Sequence, residues 1–167
     1  MGYIIGIDLG GMSAKAAIFD GEGRILAKSN IATNSADGFD GTAKKLDGVA
    51  RAVAREAKIE FSEVEAIGIA SPGVVNSKTG VVLKWGNYGW LNAPLGETVE
   101  KLTGKKVYVA NDANAAAVRY VSRSCCVLET GRALLRWGLL ALLLGAWMNG
   151  LPFFSRRVKM PEINRER

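Results

Sequence analysis

The stretch Gly6-Ile-Asp8-Leu9-Gly10-Gly11-Met12-Ser13-Ala-Lys15-Ala-Ala-Ile-Phe-Asp20 decides the fold, because it reads as two strands joined by a tight turn that carries one carboxylate. Tyr3, Ile4, Ile5 and Ile7 lead into it as a nearly unbroken apolar run, the pattern of a strand buried on both faces, and Asp8 closes that run. Gly10 and Gly11 let the backbone approach a ligand with no Cβ in the way, so their amides can point at anionic oxygens. Asp8 would repel a bare phosphate, so a phosphate here implies a divalent cation between the two, Mg²⁺ held through water. The other reading of the same residues is an ordinary Gly-Gly hairpin with an aspartate as turn former.

Working outward, Val107-Tyr-Val-Ala-Asn111-Asp112-Ala-Asn-Ala-Ala-Ala117 is a short strand that runs straight into an alanine-rich helix start. Asn111 and Asp112 fall on the junction, where open sheets present side chains to a ligand crevice. Either residue could equally be an N-cap for the helix.

Four ordered stretches are similar to the ROK family of sugar kinases and related repressors, within the actin-like, ribonuclease-H-like ATPase group. They are Asp8-Leu-Gly-Gly-Met with its strand ending in Asp20, Ala70-Ser-Pro-Gly-Val-Val with Thr79-Gly-Val-Val, Trp90-Leu-Asn-Ala-Pro-Leu95, and Asn111-Asp-Ala-Asn-Ala-Ala116. The resemblance covers roughly residues 1 to 117 and implies a cleft enzyme that uses ATP and Mg²⁺ to phosphorylate a hexose, glucose by default. It implies Asp112 as the general base for the sugar hydroxyl and Asn111 as a holder of neighbouring hydroxyls. Asp8, Gly10 and Gly11 become the phosphate and metal element. Gly73 would sit in the sugar-contacting turn, although Pro-Gly is also a common turn dipeptide. Asn92 lies in the stretch that lines the sugar pocket in the family, with a turn role as its alternative. The family usually places a threonine after the two glycines; here Met12 stands there and cannot donate a hydroxyl hydrogen bond. Ser13 and Lys15 are the neighbouring polar candidates, and phosphate binding is expected to be weakened rather than lost.

The pattern predicts an α/β lobe with a mixed five-stranded sheet in βββαβαβα order. Strands are expected at 2–8, 14–20, 24–32, 64–70 and 107–110, with a further short β segment at 81–85. Helices are expected at 39–58, with Phe39, Ala43, Leu46, Val49, Val53 and Ala57 on one stripe, and at 95–102, ended by Gly104.

Composition breaks after this lobe. Residues 1–118 hold 10 Lys and 3 Arg against 6 Asp and 7 Glu, whereas residues 119–167 hold 8 Arg and 1 Lys against 3 Glu, so the formal charge of +6 belongs to the second part. Two domains follow: a lobe at 1–117 and an atypical Arg- and Leu-rich tail at 118–167, helical or disordered. The tail shows no Gly-rich phosphate turn, the chain has no His, and Cys125-Cys126 are adjacent rather than spaced as zinc ligands, so the zinc site of the family is expected to be absent. A shifted reading frame would account for that break, and the chain alone is expected to turn over little or nothing. The 18 uncharged residues from Trp137 to Phe154 touch the lower limit of a spanning helix, but Asn149, Gly150 and Pro152 interrupt them, and a membrane role is not expected. No nucleic-acid-binding module is recognisable. The chain enters its first strand directly from Met1, which predicts a cytoplasmic protein without a leader and argues against a repressor, whose DNA-binding segment would precede this lobe. A non-catalytic sugar-binding or regulatory protein is the competing class. Full-length members of the family form homo-oligomers; the assembly of this chain is not readable.

Overall fold

A strand rich in isoleucine is the centre of this structure, a computed structural model that describes residues 2–115. β1 (Tyr3–Leu9) pairs antiparallel with β2 (Ser13–Phe19), which pairs antiparallel with β3 (Ile25–Ala32). On its other side β1 runs parallel to β4 (Val64–Ser71), and β4 runs parallel to β8 (Lys106–Asn111), giving a mixed sheet of order β3-β2-β1-β4-β8. The five expected strands are these five. The turn from β2 to β3 is fixed by Asp20, whose carboxylate accepts the amides of Glu22 and Arg24 and the Arg24 guanidinium.

α1 (Gly38–Glu56) lies over β2 and β3 and packs on α2 (Leu95–Thr103), which in turn packs on β8. The stripe read from the sequence is the buried one: Ala43, Leu46, Val49 and Val53 are inside, and Phe39 and Ala57 are partly so. They meet Ile5, Ile7, Ile18, Ile67, Ile69, Val107 and Val109 from one face of the sheet, and Leu95 and Val99 from α2. α1 stops two residues before the expected end, in a Schellman closure where Ile59 N donates to Ala54 O (2.9 Å) and Lys58 N to Arg55 O (3.0 Å). α2 ends at Gly104, which takes φ 68° as the sequence implied.

The opposite face of the sheet is built differently. Alternation puts Ile4, Gly6, Asp8, Ala17, Gly68 and Ala70 there, mostly small residues, and the helical turn at 112–115 lies against it, with Ile4 and Ala115 packed on Ala70. Small side chains let a helix start close to the sheet, and Asp8 is on this face.

One feature differs from the expected order. The segment at 81–85 is the middle strand of a second, antiparallel sheet, β5 (Val74–Asn76), β6 (Val81–Trp85) and β7 (Trp90–Ala93), so the described chain has eight strands rather than six. Its inner side carries an aromatic cluster: Trp85 stacks on Tyr88 at 3.9 Å between ring centres, and Trp90 meets Trp85, Tyr88 and Phe39 edge-on. Among the described residues no helix is long and apolar enough to cross a membrane. The domain boundary at 117, the tail at 118–167, Cys125-Cys126 and the apolar run at 137–154 lie outside the described residues.

Candidate functional site

Three parallel strands end side by side, and the candidate residues sit on those ends. Asp8 of β1 is in register with Ala70 of β4, and Ser71 of β4 with Asn111 of β8. Asp112 follows at the first position of the helical turn. Asp8 holds its proton more tightly than an ordinary aspartate: partial burial is the main reason, the Lys15 ammonium across the β1–β2 pair opposes it, and the negative charge of Asp112 adds to it. The two carboxylates therefore influence one another at the ends of neighbouring parallel strands.

The cap of that helical turn is Asn111 rather than Asp112. Asn111 Oδ1 accepts the amide of Asn114 at 3.1 Å, three residues on, while its Nδ2 donates to the carbonyl of Gly73 at 2.7 Å. Asn111 thus ties the helix start to the turn after β4, which leaves less of its amide for sugar hydroxyls than the resemblance implied. Asp112 is released from capping. Its Oδ1 accepts the adjacent Ala113 amide at 2.7 Å, and its position in the first turn suits a negative charge.

Gly73 is held to glycine by the second sheet. It adopts φ 86°, and a Cβ there would overlap the carbonyl oxygen of Lys84 on β6, so the constraint comes from the second sheet. Its carbonyl carries the Asn111 bond. Asn92, exposed within β7 rather than in a turn, sits at φ 49°, a left-handed conformation that asparagine tolerates well.

The loop between β1 and β2 is held tightly. Gly10 N donates to Ser13 O (2.9 Å); Thr33 Oγ1 donates to Gly10 O (3.0 Å); Tyr88 Oη donates to Gly11 O (3.1 Å); and Thr33 N donates to Met12 O (3.1 Å). Met12 projects its side chain into solvent, 86% exposed, and Ser13 is half-buried at the start of β2. Nothing lies within 4 Å of where a Cβ on Gly11 would be, an open space beside the loop amides. Thr33 and Tyr88 are absent from the sequence reading, and no local motif marks either one.

The donor set fits a hard divalent cation of the Mg²⁺ type. Among the described residues no group of three or more His, Cys, Asp or Glu side chains comes together. What the site offers is Asp8, whose carboxyl pKa is raised chiefly by burial and further by the charge of Asp112, and Mg²⁺ is characteristically held by one or two carboxylates, several waters and the phosphates of its substrate.

The sequence profile of the ROK family matches residues 4–122. A glucokinase of Streptomyces coelicolor is 38% identical over 117 residues, which are 70% of this chain and 35% of the relative. A putative xylose repressor of a Caldicellulosiruptor species is 31% identical over 118 residues, 71% of this chain and 30% of the relative. The crystal structure of a ROK family glucokinase from Streptomyces griseus, in complex with glucose and AMPPNP, superposes with a TM-score of 0.63 at 36% identity, over 71% of this chain and 36% of that one. The chain spans about a third of the length of the curated relatives it matches.

Proposed function

The chain belongs to the ROK family, and from that membership we infer that residues 1–117 are the N-terminal lobe of a sugar kinase, with residues 118–167 outside that lobe. The reaction moves the terminal phosphoryl group of ATP to a hexose hydroxyl. The hydroxyl oxygen bonds to the γ-phosphorus, the bond from that phosphorus to its bridging oxygen breaks, ADP leaves, and the hydroxyl proton passes to the carboxylate of Asp112. Asn111 and the turn at Gly73 would orient the sugar, with Asn92 beside them. The amides of Gly11 and Met12, with Ser13 and Lys15, would receive the phosphates, and Gly10, whose own amide donates to Ser13 O, would leave room for them to approach. Asp8 would hold Mg²⁺ through water, and the ion supplies neutralisation of phosphate charge. Glucose is the hexose proposed, in a cytoplasmic setting, and the chain by itself is proposed to be inactive.

One observation supports this reading: Asn111 caps the helical turn, and the charge of Asp112, not needed for that cap, is felt by Asp8 at the end of β1. A chimera tests it. Residues 1–122 joined to the remainder of the Streptomyces coelicolor glucokinase should phosphorylate glucose, and Asp112→Asn should lower its kcat by about 10²- to 10⁴-fold. Turnover within tenfold of the parent chimera would remove Asp112 from the role of base.

Similarity to a xylose repressor favours a second reading, a sugar-responsive regulatory protein that uses the same lobe to bind rather than to react. A chimera that takes up glucose, measured calorimetrically, without forming sugar phosphate would support that reading.

A further inference from the structure

We propose that Thr33 and Tyr88 are positioning residues of the phosphate loop, holding its peptide planes so that the amides of Gly11 and Met12 face the bound phosphate. The inference rests on the reading of residues 8–15 as the phosphate element, and it concerns two residues well outside that segment.

Three consecutive carbonyls of the loop are engaged from within the protein: Gly10 O by Thr33 Oγ1, Gly11 O by Tyr88 Oη and Met12 O by Thr33 N. In a planar trans peptide the carbonyl and the following amide point in opposite directions. Fixing Gly10 O and Gly11 O therefore turns the amides of Gly11 and Met12 away from Thr33 and Tyr88. Among the described residues neither amide has a hydrogen-bond acceptor, and the space beside Gly11 is open. Two successive amides with no internal partner are available to donate to one anion.

The glycines explain why a clamp is needed. Gly10 and Gly11 have access to both signs of φ, so a peptide plane between them can flip at little steric cost. A flip would present a carbonyl oxygen to phosphate where an amide is required, exchanging attraction for repulsion. Met12 adds no donor from its side chain, which leaves the loop dependent on its backbone. Both clamp residues are themselves fixed. Thr33 is 5% exposed and uses its amide and its hydroxyl on the same loop. Tyr88 is 9% exposed, stacked on Trp85 with ring planes 8° apart and edge-on to Trp90.

The test uses the full chain with the variants Tyr88→Phe, which keeps the stacked ring, Thr33→Val, which removes the hydroxyl, and Thr33→Ser, which retains it. Nitrogen-15 relaxation dispersion reads the mobility of the Gly11 and Met12 amides, and calorimetry with Mg²⁺-pyrophosphate reads anion binding. In Tyr88→Phe and Thr33→Val the two amides should acquire microsecond-to-millisecond exchange, and pyrophosphate affinity should fall about three- to tenfold, the range for one hydrogen bond. Thr33→Ser should behave as the parent chain does. Loop amides as rigid in Tyr88→Phe and Thr33→Val as in the parent would overturn the clamp. Failure of the parent chain to bind Mg²⁺-pyrophosphate would instead overturn the phosphate reading, and amide relaxation would still decide whether the two residues hold the loop.

Discussion

Asp8 is the residue at which site chemistry and stability oppose each other. Burial is the largest cause of its raised pKa, Lys15 works against it and Asp112 with it, so the folded chain binds the Asp8 proton more tightly than the unfolded chain does. Stability linked to this group is therefore greatest when the carboxyl is protonated. It declines as pH rises from the ordinary aspartate range, about pH 4, through the raised folded value, and the full penalty remains above both. Replacing Asp8→Asn should accordingly raise the melting temperature at pH 7, with a gain that shrinks toward zero near pH 3. Thermal denaturation across that range checks it, and a variant less stable than the parent at pH 7 would contradict the account. Asp8 and Asp112 were legible because each stands at the end of a β-branched run, where chemistry and sequence position coincide. The division of labour between Asn111 and Asp112 was not, since both residue types cap helices and only the bond to Asn114 distinguishes them. Tyr88 escaped notice because its partner, Gly11, is 77 residues away.

At the scale of elements, the second sheet is what the sequence concealed and what the site leans on. α1 was readable from its 3.6-residue stripe, and β1, β2 and β4 from runs of apolar residues. β5 and β7 have three and four residues, too few to show an alternation, and their exposed Val74 and Leu91 break the expected pattern of apolar inside and polar outside. Yet the turn between its β6 and β7 supplies Tyr88, and β6 crowds Gly73 through Lys84. The substitution Gly73→Ala should expose that dependence. The left-handed φ alone costs about 1 to 3 kcal/mol for a residue with a side chain, and the overlap with the Lys84 carbonyl adds to it by pushing β5 off β6. Gly104→Ala is the reference, since its φ of 68° is similar but nothing lies within 4 Å of the new Cβ. Urea denaturation should show Gly73→Ala clearly less stable than Gly104→Ala; equal losses would mean that the contact with Lys84 is not a constraint.

Across the whole molecule, the sheet combines pairings of very different span. β1, β2 and β3 form a meander joined by short turns, whereas β1 meets β4 through partners such as Ile4 and Ala66, and β4 meets β8 through Ala66 and Lys106. Closing long loops delays the contacts they permit. In pulse-labelled hydrogen exchange during refolding, amides shared by β2 and β3 should gain protection before those shared by β4 and β8; simultaneous protection would show that the sheet forms in one step. The lobe as a whole was legible because four ordered motifs fall along it, while the tail has a composition that suggests no single architecture. The parallel pairing of β1 also bears on the nascent chain. A polypeptide leaving the ribosome can assemble its meander once residue 32 has emerged, but the other edge of its first strand stays uncovered until residue 64 follows. Throughout that interval Ile5 and Ile7 lie on a strand with one open flank, a surface for which a chaperone and a neighbouring nascent chain would compete.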